Sequence, residues 1–326
     1  MPLTFDKSLP ELRTYAGINP RPADFDTYWD DSLRELDALD PQIELRRNDT
    51  LPLRNAECFD LWFTGVGGAR IHAMYLRPRN LTAPAPAILA FHGYSSNAGD
   101  WTDKLAYVSE GFCIAALDCR GQGGASEDNL QIKGNTHNGH IIRGLDDPNP
   151  KNLLFRHIYL DTAQLARIVM GFAEVDAARV GAMGGSQGGG LTLACASLEP
   201  RIKLAAPVFP FLCDYKRVWE MDQAKDAYQE LRTWFRLFDP THAREEEIFT
   251  RLGYIDLQFL VSRIKAETLF AVGLMDTICP PSTQFSAYNK ITAPKELVLY
   301  PDFGHEGLPG HGDRTFRFMQ KLNGCV

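Results

Sequence analysis

The chain has 326 residues, of which 44% are hydrophobic and 23% are charged, a composition typical of a globular protein with a large core. Its formal net charge of −7 argues against a nucleic-acid-binding protein, whose binding surface should be basic. No apolar segment flanked by basic residues opens the sequence, and no apolar run approaches the about 18 residues of a spanning helix. We therefore expect one soluble domain over residues 1–326 that binds neither nucleic acid nor membranes.

The cysteines favour a reducing compartment. Their number is odd, and no pair has the C-x-x-C spacing that is typical of zinc or redox sites. Some lie inside apolar runs, where cysteine behaves as a small hydrophobic residue. We expect no disulfide framework, no metal and a cytoplasmic location. The seven are Cys58, Cys113, Cys119, Cys195, Cys213, Cys279 and Cys325.

The first part of the chain predicts a helix followed by a hairpin. Residues 22–39 carry apolar side chains at helical spacing and should form an amphipathic helix. Two β-rich segments follow at 57–65 and 69–78, and the Val-Gly-Gly sequence between them is typical of a hairpin turn. We expect residues 1–80 to form an N-terminal extension built from these elements.

From residue 87 onward, short apolar runs alternate with helical patterns. Apolar runs that end in Gly, Asp or Pro fit strands that are buried on both faces, as parallel strands are. Their alternation with helices predicts an α/β fold, with a mostly parallel central sheet covered by helices on both faces. The expected strands are 87–93, 112–118, 179–185, 204–210, 268–276 and 296–302. The expected helices are 158–174, 187–198 and 312–322, with a helical insertion over 212–266.

Ser186 lies in a glycine-rich segment between an expected strand and an expected helix. Residues 184–188 match the pattern G-x-S-x-G, in which a sharp strand-to-helix turn exposes a nucleophilic serine. Small residues two positions away let the backbones of such a turn pass closely. The alternatives are a tight turn with an incidental serine, or a linker, which the flanking apolar elements disfavour. The context favours Ser186 as a nucleophile.

A serine nucleophile needs a histidine base, which should follow it in the chain. Three histidines lie downstream of Ser186. His242 is in the charged insertion and is expected to be solvated or to begin a helix. His305 comes directly after the last expected strand, where a loop can reach back over Ser186. We predict His305 as the base, with His311 as its rival.

The histidine in turn needs an acid to orient it. Asp276 ends the preceding apolar strand, so it should lie at the same edge of the sheet. Asp302 is only three residues before His305 and fits a turn residue better. Asp118 precedes Ser186, which breaks the expected chain order, and we interpret it as structural. The sequence therefore favours Asp276.

The oxyanion of an ester transition state needs preorganised donors. One should be the backbone N–H of Gln187, the residue after the nucleophile. The other should come from the loop after the first central strand, where we choose the N–H of Tyr94, with Gly93 giving the backbone room. The neighbouring His92 is interpreted as a core or turn histidine.

Four sequence blocks, taken together, resemble the signature of a known family. They look like those of the acetyl xylan esterases and cephalosporin C deacetylases, carbohydrate esterase family 7 of the α/β-hydrolase superfamily. The resemblance implies an α/β-hydrolase fold, with Ser186, Asp276 and His305 as the catalytic residues and Tyr94 and Gln187 as the oxyanion hole. The blocks are RGQG (120–123), GGSQGG (184–189), GLMDTICPPST (273–283) and GHE (304–306).

The same resemblance implies an activity and an assembly. The substrates would be acetyl and other short acyl esters of sugars and of cephalosporin C, cleaved without metal or cofactor. Family members resemble ring-shaped homohexamers, and residues 124–157 correspond to their subunit-contact loop. A run of tyrosines is expected there, where this chain has residues 153–155, Leu-Leu-Phe. In RGQG, we expect Arg120 and Gln122 to hold neighbouring loops.

The leading hypothesis is a cytoplasmic serine esterase that acts on small acetyl esters. One alternative is an α/β-hydrolase peptidase of the acylaminoacyl or prolyl type, although no repeat indicates the propeller that such enzymes carry. Another is a non-catalytic α/β-hydrolase that binds a ligand. Phe211, Trp219 and Trp234 are candidates for a pocket or lid, with core packing an equal alternative.

Overall fold

Nine β-strands pair into one sheet in the computed structural model, which describes residues 6–134 and 139–325. The order across the sheet is β1-β2-β3-β5-β4-β6-β7-β8-β9. Strands β1, β2, β3 and β5 pair antiparallel, whereas β5-β4-β6-β7-β8-β9 pair parallel. The bounds are β1 Glu44–Asn48, β2 Ala56–Thr64, β3 Arg70–Pro78, β4 Ala85–Phe91, β5 Cys113–Leu117, β6 Val175–Gly185, β7 Leu204–Val208, β8 Glu267–Gly273 and β9 Lys295–Tyr300.

The helices of the described residues lie before, between and after these strands. Helices α6 to α9 all come between β7 and β8, in the segment expected to be a helical insertion. The bounds are α1 Leu9–Leu12, α2 Phe25–Asp37, α3 Leu105–Ser109, α4 Leu154–Met170, α5 Gln187–Leu198, α6 Tyr215–Glu220, α7 Gln229–Phe238, α8 Glu245–Leu252, α9 Leu257–Leu260, α10 Pro281–Tyr288 and α11 His311–Met319.

Apolar side chains of the central strands pack on both faces of the sheet. Successive residues of a strand point to opposite faces, so Leu89 joins the core cluster beneath α4 and α5. Its neighbour Ile88 joins the second cluster, with Phe318 and Met319 of α11. Both faces are therefore covered, which explains why the parallel strands read as continuous apolar runs.

The predicted fold class is confirmed, while several element boundaries differ. Strand β1 was not predicted, because its sequence is charged and all but its last residue are exposed. Helix α4 begins at Leu154 rather than at residue 158. The residues 153–155, where the family resemblance implies tyrosines, are at most 1% exposed and pack in the core. In this chain they therefore contribute to the subunit's own interior.

The parallel strands carry the residues of interest to one edge of the sheet. Strands β4, β6, β8 and β9 all run in the same direction, so the segments that follow them meet at their carboxyl ends. None of the helices described is both long and apolar enough to cross a membrane.

Candidate active site

Ser186 occupies a sharp turn between β6 and α5. Its backbone angles are φ 58° and ψ −121°, a combination that residues other than glycine rarely adopt. The chain crosses itself closely here, because a Cβ on Gly184 would lie 2.5 Å from the carbonyl oxygen of Gly188. A Cβ on Gly188 would overlap the carbonyl oxygen of Phe91 on β4. Glycines at these two positions are thus a steric requirement of the turn.

His305 lies between Ser186 and Asp276 and makes a hydrogen bond with each. Its Nε2 is 2.9 Å from Ser186 Oγ, and its Nδ1 is 2.8 Å from Asp276 Oδ2. Because Asp276 Oδ2 accepts, Nδ1 carries the proton and Nε2 is left to accept from the serine hydroxyl. The three side chains therefore form a continuous hydrogen-bonded line across loops after β6, β8 and β9.

Asp276 is held rigidly in this line. Its side chain is fully buried, and its Oδ1 accepts from the backbone N–H groups of Ile278 and Cys279 at 2.9 and 2.8 Å. This pairing leaves Oδ2 for the imidazole of His305. A buried carboxylate with all its hydrogen bonds made can fix both the orientation and the tautomer of the ring.

The rival histidines and acids lie elsewhere. His311 is buried at the start of α11, and no described residue hydrogen-bonds either of its ring nitrogens. His242 is exposed and lies 3.4 Å from Glu245. Asp302 is exposed in the turn after β9. In the described part of the chain, the side chain of Ser186 hydrogen-bonds His305 and none of these three residues.

The amides of Tyr94 and Gln187 lie on two adjacent turns. Gln187 is the first residue of α5, so its N–H belongs to the positive end of a twelve-residue helix. Tyr94 follows β4 by three residues. Within the described residues, neither backbone N–H donates a hydrogen bond to another group. Both amides are thus available to an oxygen that develops negative charge near Ser186.

One group of potential metal ligands occurs among the described residues. It consists of Asp276, Cys279 and His305, whose ligand atoms lie within 4.8 Å of one another. Two of those atoms already hydrogen-bond each other. Burial raises the pKa of the Cys279 thiol well above its usual value, so it offers no thiolate. The hydrogen bond between Asp276 and His305 fits the orientation of an imidazole base better than a cation site.

Comparison with known proteins assigns the chain to a family. The sequence model of the acetyl xylan esterase family (AXE1) matches residues 1–322. The chain belongs to the acetyl xylan esterase family. This membership classes it as a carboxylic ester hydrolase.

Two solved acetyl xylan esterases superpose on nearly the whole chain. The enzyme from Thermoanaerobacterium sp. JW/SL YS485 is 57% identical, with a TM-score of 0.95, over 98% of this chain and 99% of its own. The enzyme from Paenibacillus sp. R4 is 38% identical, with a TM-score of 0.92, over 97% and 99%. The curated acetyl esterase Axe7A of Xylanibacter ruminicola is 27% identical over 304 residues, or 90% of this chain. The chain spans 65% of the length of Axe7A.

In this acetyl xylan esterase family member, Gln122 connects the two turns that carry the free amides. Its Oε1 accepts the N–H of Ser95 at 2.9 Å. Its carboxamide also pairs with that of Gln187 through two hydrogen bonds of 2.8 and 3.0 Å. Sequence reasoning gave Gln122 only a loop-holding role, whereas the structure shows that the loops it holds are those of Tyr94 and Gln187.

The other polar side chain of the RGQG block, Arg120, contacts helix α4. Arg120 is fully buried and forms a bidentate ion pair with Asp161 of α4, with both N–O distances 2.7 Å. It also donates to the carbonyl oxygen of Val66 at 3.1 Å. The expected role of holding neighbouring segments matches these contacts.

His92 and Asp118 hydrogen-bond the backbone of the loops that follow β4 and β5. His92 Nε2 accepts the N–H of Cys119 at 3.0 Å, and its Nδ1 lies 2.7 Å from the carbonyl oxygen of Gly93. Asp118 hydrogen-bonds His72 at 2.7 Å and accepts from two backbone amides. Both side chains thus make the structural contacts expected of them.

The aromatic candidates divide into two groups. Phe211 packs against Tyr94 with ring centroids 5.5 Å apart, next to the site. Trp219 and Trp234 both pack against Phe235 inside the helical insertion, as core residues do. Phe209, which was not among the predicted site residues, packs against His305 with ring centroids 4.5 Å apart and the rings tilted by 51°. Its position directly after β7 was the available signal.

Proposed function

We propose that this chain is a serine carboxylesterase that removes acetyl groups from small carbohydrate-like esters, such as acetylated xylo-oligosaccharides and cephalosporin C. The family membership supports the reaction class. The observation that carries the mechanism is the line of hydrogen bonds from Ser186 Oγ through His305 to Asp276. This arrangement of nucleophile, base and orienting acid is the one that acyl transfer requires.

In the first half of the reaction, Ser186 Oγ attacks the acetyl carbonyl carbon while His305 Nε2 takes the hydroxyl proton. The carbonyl oxygen becomes an oxyanion, which the N–H groups of Tyr94 and Gln187 stabilise. Asp276 stabilises the imidazolium that forms. The tetrahedral intermediate then breaks its bond to the alcohol oxygen, which receives the proton from His305. The products are the free alcohol and an acetyl ester of Ser186.

In the second half, a water molecule replaces the alcohol. His305 removes a proton from the water as it attacks the acetyl carbon, and the same two amides bind the second oxyanion. When this intermediate collapses, the bond to Ser186 Oγ breaks and His305 returns the proton to the serine. Acetate leaves, and the enzyme regains its starting state without any cofactor.

The test compares the hydrolysis of p-nitrophenyl acetate, an acetylated xylo-oligosaccharide and cephalosporin C by the wild type and Ser186→Ala. We expect kcat to fall on the order of 10⁴-fold or more in the variant. Ser262→Ala, which changes an exposed serine of the insertion, is the matched control and should keep the wild-type rate. Equal rates for the wild type and Ser186→Ala, or faster cleavage of a peptide amide, would overturn the proposal.

We also propose that copies of this chain form homohexamers in the cytoplasm, with residues 124–157 in the subunit contacts. The resemblance to the carbohydrate esterase family supports the assembly, although residues 135–138 of that loop lie outside the described residues. Six of the seven cysteines are buried and all are unpaired, which fits a reducing compartment. Light scattering on the purified protein tests the assembly, and a monomer would contradict it.

A further inference from the structure

A cavity of about 450 Å³ opens beside Tyr94, the residue whose backbone amide is proposed as an oxyanion donor. This size is within the range of small-molecule sites. Its wall combines one aromatic ring with carboxyl, amide, imidazole and hydroxyl groups, which suit a polar ligand better than an acetyl methyl group. The residues that line it include Tyr94, His140, Asp226, Gln229, Glu230 and Thr233.

Hydrogen bonds fix the inner wall of this cavity. The Tyr94 hydroxyl donates to the carboxyl group of Glu230 and accepts the N–H of His140 at 3.1 Å. The second oxygen of Glu230 accepts the N–H of Ile142 at 2.9 Å. The ring of Tyr94 is thus held from α7 and from the segment 139–142. A wall that is fixed before the substrate arrives loses little entropy on binding.

The outer wall offers polar groups that are free to bind a ligand. Asp226 and Gln229 are exposed, and neither side chain makes a hydrogen bond within the described residues. A carboxylate only accepts hydrogen bonds, whereas an amide both accepts and donates them. Sugar hydroxyls, which can also do both, match such groups.

The charged groups around the cavity favour neutral ligands over anionic ones. Its ionisable groups are the carboxyls of Asp226 and Glu230 and the imidazole of His140. No lysine or arginine occurs among the described residues that line it. Burial lowers the pKa of His140, which keeps the imidazole neutral near pH 7. Burial raises the pKa of Glu230 to about 7, so the exposed Asp226 supplies the full negative charge. An anionic ligand would therefore meet a carboxylate that no cation among the described lining residues offsets.

We propose that this cavity is the leaving-group subsite and that it selects esters of neutral, hydroxyl-bearing alcohols over esters of anionic ones. The proposal rests on the proposed function, because the alcohol oxygen and the oxyanion are bonded to the same carbon. Tyr94 supplies both the proposed oxyanion amide and part of the cavity wall, so the alcohol bonded to the same carbon is expected to enter this cavity. Neutral xylo-oligosaccharides fit the subsite, and cephalosporin C, whose leaving group is anionic, fits it less well.

The test uses two substrates that differ in one group. Monoacetylated methyl glucoside and monoacetylated methyl glucuronoside share the sugar ring, but the second carries a carboxylate in place of the neutral CH₂OH group. We expect kcat/KM to be about tenfold lower for the glucuronoside at low salt, since like charges within several ångströms repel by roughly this much. The difference should shrink as the salt concentration rises, because salt screens exposed charges.

Two charge variants of the outer wall should move this ratio in opposite directions. Asp226→Asn removes a negative charge and should bring the two substrates closer together. Gln229→Glu adds one and should separate them further. Asp49→Asn makes the same change as the first variant on an exposed side chain outside the cavity, and it should keep the wild-type ratio.

Equal kcat/KM values for the two substrates in the wild type would overturn the subsite, as would a ratio that neither cavity variant changes. That failure is distinct from a failure of the proposed function. If Ser186 is not the nucleophile, Ser186→Ala keeps its turnover of both sugars. If only the subsite is wrong, Ser186→Ala loses turnover of both while the wild type treats them alike.

Discussion

Replacing Gln122 by leucine should slow the enzyme, although Gln122 hydrogen-bonds neither Ser186 nor His305 in the described structure. Leucine has nearly the same volume, but it removes the acceptor of the Ser95 N–H and both hydrogen bonds to the carboxamide of Gln187. The two turns proposed to present the oxyanion donors then lose the connection that runs through Gln122. We therefore expect the variant to show how much of the rate depends on the position of these turns.

The size of the effect follows from the contacts that are lost and kept. Each hydrogen bond contributes about 1 kcal/mol, and a buried amide left unpaired costs about 1–3 kcal/mol. The fully buried Gln187 keeps only its longer contacts, one of them to the carbonyl oxygen of Gly93 at 3.4 Å. The segment that carries residue 122 stays attached to the Tyr94 loop, because the N–H of Gly123 donates to the carbonyl oxygen of Ser96 at 2.9 Å. We expect a loss of about 3 kcal/mol in stability.

The rate should fall less than if a donor were removed outright, which costs about 10²–10³-fold in kcat. We expect kcat for p-nitrophenyl acetate to fall roughly 10- to 100-fold in Gln122→Leu, with a smaller change in KM. Gln122→Glu retains an acceptor for Ser95 and should give an intermediate rate. Gln131→Leu, at an exposed position, is the control. A Gln122→Leu rate within twofold of the wild type would refute the reasoning.

Three further variants test other parts of the structure. Asp276→Asn should lower kcat on the order of 10⁴-fold, because it favours the wrong tautomer of the imidazole; wild-type turnover would exclude this role. Gly188→Ala should destabilise the protein by about 3 kcal/mol or more in urea unfolding, whereas Gly312→Ala, with open space around it, should not. Burial lowers the pKa of His72, but the hydrogen bond and the charge of Asp118 outweigh this effect, so the pKa is raised overall. The protonated imidazole therefore stabilises the folded protein fully below about pH 6.5, and this stabilisation is lost as the pH rises through the raised pKa. Thermal unfolding from acid to alkaline pH should show this loss, and His72→Gln should abolish it.

The fold could be predicted where burial shapes the sequence. Buried parallel strands read as apolar runs, so β4 and β8 were recognisable together with their class of sheet. Strand β1 was not, because an exposed edge strand of sequence Glu-Leu-Arg-Arg-Asn has no apolar pattern. Its pairing with β2 depends on backbone hydrogen bonds, which leave little trace in the choice of side chains.

Some residues of the candidate site could also be predicted from the sequence, and others could not. Ser186, Asp276 and His305 were selected from chain order and strand ends, and the structure brings their side chains into hydrogen-bond contact. Gln122 and Glu230 were not recognised as neighbours of the site. Their partners lie 65 and 136 positions away, and no local pattern encodes a contact over such a separation. Only the folded arrangement of the loops reveals them.

Rapid acid quenching during turnover of an acetyl ester, followed by peptide mass spectrometry, tests most directly whether Ser186 carries the acyl group. We predict that one acetyl group appears on the peptide that contains Ser186 and is absent from Ser186→Ala treated in the same way. An acetyl group on a different residue, or full turnover by Ser186→Ala, would contradict the acyl-enzyme mechanism.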